Sequence, residues 1–432
     1  MEKRVSSGLV AALEASPESR VPSPQSPVRA GLGLYVHIPC CSAICNYCNF
    51  NRGLFDADLK ARYVEALLAE IQRAGQAGRA GEAGRTGWAG RAGQAGSDVG
   101  DGLQTVPNAA DTIYFGGGTP SLLEPDEVAR IIDACASAFD VAADHEVTME
   151  ANPESVTDAR LAAYRRAGVN RVSFGVQSFR DDELKRLSRL HSVDRARAAL
   201  GEARTAGFDN VSLDLMMWLP EQRVSQWLES VDEAIALGPE HLSLYLLEVY
   251  PNAPLKDDMA RARWSQAPDD DAAEMYLTAM ARLDAAGYLQ YEISNVAKPG
   301  RRSRHNLKYW IDGDWLGFGC GAHSTRDGVR WKNVSSTHDY LERIGAGSSP
   351  AIDVRRLTPD ERLGDALFTG LRLVDGIDTN AIQTRYGVDV WRRFGADLEP
   401  FIEAGCLRRD GARLSLTRQG MLLAHEVMTV FV

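Results

Sequence analysis

A chain of 432 residues that is 44% hydrophobic is long enough for a large domain with a substantial core and a smaller one beside it. Its net charge of -11 excludes a nucleic-acid binder of the ordinary kind, which gathers Lys and Arg to meet phosphate. No stretch approaches the roughly 20 apolar residues of a spanning helix, and the N-terminus, MEKRVSSGLVAALEASPESR, lacks the apolar core and cleavage site of a signal peptide. The expected location is the cytoplasm, where clustered cysteines hold metal or do redox work more often than they form disulfides.

Residues 1–30 are rich in Ser, Pro and charge without periodicity, and read as a disordered tail. LGLYVHI (32–38) reads as a strand, followed by the cysteine-rich HIPCCSAICNYCNF (37–50) and the helical pattern DADLKARYVEALLAEIQRA. From Gly75 to Gly96 a Gly recurs at every third position, but the absence of Pro argues against a collagen helix, so 75–105 is expected to be a flexible insertion. Beyond it, TIYFGG (112–117), EVTMEAN (146–152), RVSFGVQ (171–177), VSLDLMM (211–217) and HLSLYLLEV (241–249) read as strands. Helical patterns at 124–139, 157–168 and 192–207 separate several of them. Apolar strands alternating with helices predict an α/β domain over 31–300, a parallel sheet forming an incomplete six-unit barrel of the TIM type, with its site at the C-terminal strand ends.

Residues 301–356 then form a connecting region that carries HNLKYW (305–310). From 357 the pattern changes again: Thr358-Pro359-Asp360-Glu361 is a capping box with Pro at the first helical position. A second helix, DVWRRFGADLEPFIEAG, and a hairpin turning at Asp410-Gly411 follow. Residues 357–432 therefore read as a small α+β, winged-helix-like domain used for docking or packing.

Four of the seven cysteines fall within nine positions, and Cys41, Cys45 and Cys48 are spaced Cys-x3-Cys-x2-Cys. Spacing leaves three chemistries open: a disulfide, a zinc site with His37 as fourth ligand, and an iron-sulfur cluster with one iron free of protein ligands. Gly116-Gly117-Gly118-Thr119-Pro120 downstream offers unencumbered backbone N–H and C=O groups to a small ligand.

YVHIP before the cysteines, GGGTPS (116–121) after the second strand and EANP (150–153) after the third resemble the radical S-adenosylmethionine superfamily. More narrowly, they resemble the branch holding oxygen-independent coproporphyrinogen III dehydrogenase (HemN) and the HemW haem chaperones. The resemblance runs from Leu32 to the C-terminus and makes the last 76 or so residues a HemN-type domain. It implies a [4Fe-4S] cluster on Cys41, Cys45 and Cys48 whose open iron binds S-adenosylmethionine. Gly117, Gly118 and Thr119 join that site, and Glu150, Gln177, Arg189 and Asp214 are implied to hold S-adenosylmethionine. By their chemistry, Arg189 suits its carboxylate, Asp214 and Gln177 its ribose hydroxyls, and Glu150 its amino or ribose groups. Tyr35 and Tyr47 are expected to pack against cluster or adenine. No residue is assigned a catalytic role.

Two features separate the branches. The dehydrogenases carry a further Cys two residues after the third, where this chain has Phe50, and HNLKYW matches a His-Asn-x-x-Tyr-Trp motif that the chaperone branch associates with haem. His305 is accordingly the expected haem contact, with His323 a weaker one. The chain departs from its apparent relatives at Cys40 (usually aromatic), Trp218 and Ser188 (both usually Gly), and Trp218 is expected to crowd Asp214. The resulting expectation is a haem chaperone that carries haem to acceptor proteins, respiratory ones among them, with homodimerisation and peripheral membrane association as further features. The alternatives are a coproporphyrinogen III dehydrogenase and a zinc-stabilised structural module.

Overall fold

A computed structural model describes residues 31–83, 109–251 and 253–432. The tail 1–30 and residues 84–105 of the Gly-rich insertion lie outside the described residues. All six expected strands form: β1 (Leu32–Ile38), β2 (Ala109–Gly117), β3 (Asp140–Ala151), β4 (Arg171–Gln177), β5 (Val211–Met217) and β6 (His241–Leu246). They lie side by side in chain order, every neighbouring pair parallel. Most of their Val, Ile, Leu and Phe side chains are buried, on both faces, as a helix-covered sheet requires, while Leu246 at the end of β6 is exposed.

The crossovers are helical: α1 (Ala57–Ala83), α2 (Pro125–Ala138), α3 (Asp158–Ala167), α4 (Asp181–Arg186), α5 (Val193–Thr205), α6 (Val224–Leu237), α7 (Pro254–Ala262) and α8 (Asp269–Ala285). α2 begins with a reciprocal cap between Glu124 and Glu127 and Pro125 in its first turn. One expectation fails here. Residues 75–83, read as the start of a flexible insertion, continue α1 without a break. Gly75 explains it, since a Cβ there would lie 2.5 Å from that of Ala138; the missing side chain lets α1 lie against the end of α2.

After β7 (Leu289–Glu292), β8 (Asn295–Ala297) and α9 (Arg304–Trp310), the connecting region does more than connect. Its β9 (Trp315–Phe318) pairs with the free edge of β1 as a seventh parallel strand, and β10 (His323–Arg326), β11 (Val329–Asn333) and β12 (Ala351–Arg356) continue antiparallel from it. The result is one sheet in the order β12-β11-β10-β9-β1-β2-β3-β4-β5-β6-β8-β7, unclosed between its two edges.

Helices α10 (Thr337–Gly345) and α11 (Pro359–Gly370) follow, the latter opened by the expected capping box, in which the Glu361 N–H donates to Thr358 Oγ1 at 3.2 Å and the Thr358 N–H to Glu361 Oε2 at 2.7 Å. α12 (Thr379–Tyr386) and α13 (Val390–Glu403) pack beside a three-stranded sheet of β13 (Ile377–Asp378), β14 (Leu407–Asp410) and β15 (Arg413–Leu416), the last two forming the expected hairpin. Residues 31–432 hold together as one compact unit.

Candidate functional site

A cleft of about 470 Å³ opens at the C-terminal ends of β2 to β6, where parallel barrels place their chemistry. The loop after β1 supplies Cys41, Cys45 and Cys48 to one wall, and Tyr47 beside them also packs on Leu187, Met216, Leu219, Leu247 and Leu255. The Gly turn after β2 forms the next wall. Gly117 has φ +116°, a left-handed conformation that glycine adopts without strain, and a Cβ on Gly118 would lie 2.7 Å from the Cys40 carbonyl oxygen. The turn can only be this close to the cysteine loop because it has no side chains. Thr119 then points its hydroxyl at Cys41 Sγ, 3.8 Å away.

The donor set distinguishes among the chemistries that spacing left open. All three cysteines are free and half-buried, and their sulfurs are not all within 4.8 Å of one another. A single zinc with Zn–S bonds of about 2.3 Å needs tetrahedral sulfurs only about 3.8 Å apart. His37, the expected fourth zinc ligand, has both ring nitrogens occupied, Nδ1 by the Tyr35 hydroxyl at 3.1 Å and Nε2 by the Asn51 carbonyl at 2.8 Å. Three soft thiols on one wall of the cleft, with His37 engaged elsewhere, fit a polynuclear cluster with one open iron. Burial, first, and the neighbouring thiols raise the Cys41 and Cys48 pKa, a cost that a positively charged metal centre offsets.

Facing the thiols, Arg189 reaches over from the turn after α4. Its guanidinium donates to Asn152 Oδ1 at 3.0 Å, to the Gly175 carbonyl at 2.8 Å and to Cys45 Sγ at 3.5 Å, while its Nε has no partner. A half-buried cation lining the cleft fits a carboxylate. Ser188 just before it sits at φ +54°, where α4 ends by turning left-handed, a conformation that gives a physical reason for the Gly expected there.

Glu150 accepts from the Tyr114 hydroxyl at 2.8 Å and from the Gly117 N–H at 3.1 Å. Burial, opposed by the Tyr114 hydrogen bond and aided by the nearby Asp214 carboxylate, pushes its pKa up to about 7. Asp214, raised by burial, accepts from Ser173 at 3.1 Å. Gln177 ends β4 at φ +68°, where the pairing with β5 slips by a residue, a bulge that turns its amide over Gly175. Eleven of the thirteen expected site residues therefore line one cleft; Tyr35 and His305 do not.

Comparison with known proteins supplies the family. Residues 99–234 match the Radical SAM superfamily and residues 357–423 the HemN C-terminal domain. The chain is 33% identical to "Heme chaperone HemW" of Bacillus subtilis (strain 168), covering 92% of this chain and 98% of that one. It is 35% identical to the protein of that name in Mycobacterium tuberculosis over 92% and 93%. The chain belongs to the HemW family. A solved structure of coproporphyrinogen III oxidase (HemN) from Escherichia coli, at 22% identity, superposes with a TM-score of 0.77 over 93% of this chain and 90% of that one, which shows a shared fold. With the HemW family comes the radical SAM cofactor pair, a [4Fe-4S] cluster and S-adenosylmethionine, and the cleft has the donors for both.

The HemW-type motif HNxxYW occupies an unexpected place. It is α9, seated near the N-terminal ends of β1 to β3, the opposite end of the barrel from the cysteines. Glu146 caps it, accepting from the Arg304 and His305 backbone N–H groups at 3.1 and 3.2 Å. His305 was expected at a haem-binding surface, but it is 1% exposed, with Nδ1 2.8 Å from Thr112 Oγ1 and Nε2 3.0 Å from the Tyr309 hydroxyl. Burial, with Lys308 beside it, drops its pKa to about 3 and keeps the ring neutral. Both nitrogens are spent, so the ring offers no axial position here. His323 is exposed at the start of β10.

Tyr35, expected at cluster or adenine, lies under the Gly turn instead, its ring edge 2.9 Å from where a Gly116 Cβ would be. The Trp218 indole does not crowd Asp214: at φ +62° it turns away and donates to the Ala267 carbonyl at 2.8 Å. Cys40 is core, 2% exposed with its thiol pKa pushed up to about 12 by burial, and Cys320 is buried beside Tyr63 and Thr337. Residue-by-residue reading missed Asn152. Its amide donates to Thr119 Oγ1 at 3.2 Å and its oxygen accepts from Arg189, joining the Gly turn to the cation. The signal was available, since Asn152 is the third residue of EANP, two past Glu150, and alternation puts both on one face of a strand end.

Proposed function

We propose that this chain is a haem chaperone: it binds haem and passes it to haem-requiring acceptor proteins, respiratory ones among them, in the cytoplasm or at the membrane surface. Cys41, Cys45 and Cys48 hold the cluster, Arg189 takes the methionine carboxylate, Glu150 the amino group, and Asp214 and Gln177 the ribose. When bound, cluster and S-adenosylmethionine together supply one-electron chemistry, and the chain's own groups orient the ligand and keep water from it. Residues 31–300 bind the cofactors, and 357–432 serve docking or packing, dimerisation included. Among the described residues no helix is long and apolar enough to cross a membrane, so any membrane contact in this reading is peripheral.

The observation that carries the reading is Phe50. Two residues after the third cysteine, where dehydrogenases carry a thiol, the chain puts a phenyl ring 63% exposed on the lip of the cleft. Leu246 and Tyr250 line the same cleft with exposed side chains, a collar that suits a flat apolar macrocycle better than water. The collar side chains are exposed as they stand, whereas His305 must first give up two hydrogen bonds.

The test is an anaerobic haem titration of cluster-reconstituted protein, with Leu246→Asp and His305→Ala alongside. Saturable, stoichiometric binding that weakens in Leu246→Asp supports chaperone and collar. Binding lost in His305→Ala alone moves the site to α9. No binding by any, with conversion of coproporphyrinogen III, replaces the reading with the dehydrogenase.

A further inference from the structure

α9 is the motif the haem reading leaves unexplained, because its histidine is sealed inside the barrel. We propose that His305 is a positioning residue for the S-adenosylmethionine site, acting through Tyr114 on the Glu150 carboxylate. The inference rests on the assignment of Glu150 to that cofactor.

Three rings form the floor beneath the cleft. The His305 imidazole stacks on Tyr114 with centroids 5.0 Å apart at 29°, and Tyr35 lies 6.2 Å from Tyr114 and 6.4 Å from His305. The floor has no slack on its upper side: a Cβ at Gly116 would come within 2.9 Å of Tyr35, 3.0 Å of Tyr114 and 3.2 Å of Glu150 Oε1. The Tyr114 hydroxyl is the side-chain donor to Glu150, so where the Tyr114 ring rests decides where the carboxylate points.

Imidazole suits the place for a chemical reason. Its two nitrogens face hydroxyls, Thr112 on one side and Tyr309 on the other, and each hydroxyl can donate or accept to match a neutral ring. An aliphatic side chain would leave both hydroxyls buried and unpaired. The ring is thus pinned at two points, and its face is what Tyr114 leans on. α9 itself is anchored by Lys308, whose ammonium meets Asp111 Oδ1 at 2.5 Å and the Gly31 carbonyl at 2.6 Å, and by Glu146 at its N-terminus.

Charge around Glu150 sets the readout. Facing it are Tyr35 from β1, Tyr114 from β2, Arg171 from β4, Asp214 from β5, Tyr245 after it on β6 and Tyr309 from α9. Of these, the Tyr114 hydroxyl and Arg171 favour the ionised carboxylate, and Asp214 opposes it. An amino N–H is held more strongly by the ionised Glu150 carboxylate than by the protonated one, so binding strengthens as pH rises through the Glu150 titration. Displacing the Tyr114 hydroxyl moves that midpoint upward.

The experiment measures S-adenosylmethionine affinity by equilibrium dialysis, under anaerobic conditions from pH 6 to 9, on the cluster-reconstituted full chain. Its variants are Glu150→Gln, Tyr114→Phe, His305→Gln and the Tyr114→Phe/His305→Gln pair. His305→Gln keeps hydrogen-bonding capacity and loses the stacked ring; it is expected to weaken binding about tenfold, as loss of a hydrogen bond to a charged group does, and to shift the pH midpoint upward. The double variant should be no weaker than Tyr114→Phe, because both act through one hydroxyl.

A purely structural role would lower the melting temperature of His305→Gln while leaving affinity and midpoint at wild-type values, and that result overturns the inference. So does an additive double variant. Should His305→Gln fail to fold, Tyr309→Phe decides: it removes one of the two pins on the His305 ring, and affinity and midpoint at wild-type values in that variant overturn the inference. No binding by the wild type, or full affinity in Glu150→Gln, overturns the cofactor assignment and this inference with it.

Discussion

Asp111→Asn should unseat the α9 helix, and its cost can be worked out from what surrounds Lys308. The Lys308 side chain is 1% exposed and its ammonium has two partners, the Asp111 carboxylate and the Gly31 carbonyl. Burial already lowers its pKa against the pull of Asp111. Without the aspartate the ammonium loses its paired carboxylate and keeps only the weaker pull of Glu146, and breaking such a pair from one side costs about 3–5 kcal/mol. An independent ceiling follows from the escape route, which is to deprotonate the amine. At pH 7.5 that is three units below the ordinary lysine value of 10.5, or about 4 kcal/mol at about 1.4 per unit, and at pH 9 it falls to about 2 kcal/mol. The sign follows from the depressed pKa: the folded variant holds fewer protons than the unfolded chain, so its stability rises with pH. Urea unfolding at the two pH values measures both numbers. Asp111→Asn/Lys308→Met, which replaces the pair by an apolar chain, should recover most of the loss. A single variant costing under about 1 kcal/mol, or a double variant no better than the single, would refute a buried, mutually dependent pair.

Three further outcomes are expected. With Glu150 raised from 4.5 to about 7, the folded protein without S-adenosylmethionine holds an extra proton between those values. Its stability therefore falls as pH climbs through that window, by up to about 3 kcal/mol; Glu150→Gln should flatten this part of a melting profile taken from pH 4.5 to 8, and an unchanged slope would assign it elsewhere. Ser188→Gly relieves a left-handed residue and should stabilise by about 1 kcal/mol in urea unfolding, the steric penalty outweighing glycine's extra entropy; destabilisation would mean the serine contributes something the geometry does not show. Cys45→Ala should lose the visible charge-transfer absorption of a reconstituted cluster while far-UV circular dichroism stays unchanged, since the cysteine loop lies at the cleft wall outside the strands and helices; full iron content would remove Cys45 from the ligand set.

The sheet was legible because its signal is repeated. Six apolar runs, each followed by helical spacing, leave few topologies other than parallel neighbours in chain order, and the polar residues at their ends fall on one face. β9 carries no such signal: four residues, WLGF, become a parallel strand only because β1 has an open edge to receive them. Gly75 illustrates the same limit, since a glycine every third residue reads as freedom until Ala138 is seen against it. His305 shows where a motif stops short. The letters HNLKYW are identical for a ring at the surface and a ring in the lumen; partners from distant strands, Thr112 and Glu146, decide between them. The positive φ of Ser188 and Trp218 gave physical content to glycines expected there, a backbone demand that no side-chain argument reveals.

Because α9 seals the lower end of the barrel, the lumen is a cup with its mouth at the cysteines, and position along its axis becomes order in time. Whatever rests on the collar formed by Phe50, Leu246 and Tyr250 covers what Arg189 and Glu150 hold below it. With haem on the collar and S-adenosylmethionine below it, as proposed, the small ligand arrives before the larger one and departs after it. On the proposed chaperone reading that sequence is compulsory: the cargo acts as the stopper, and its release lets the deeper site exchange.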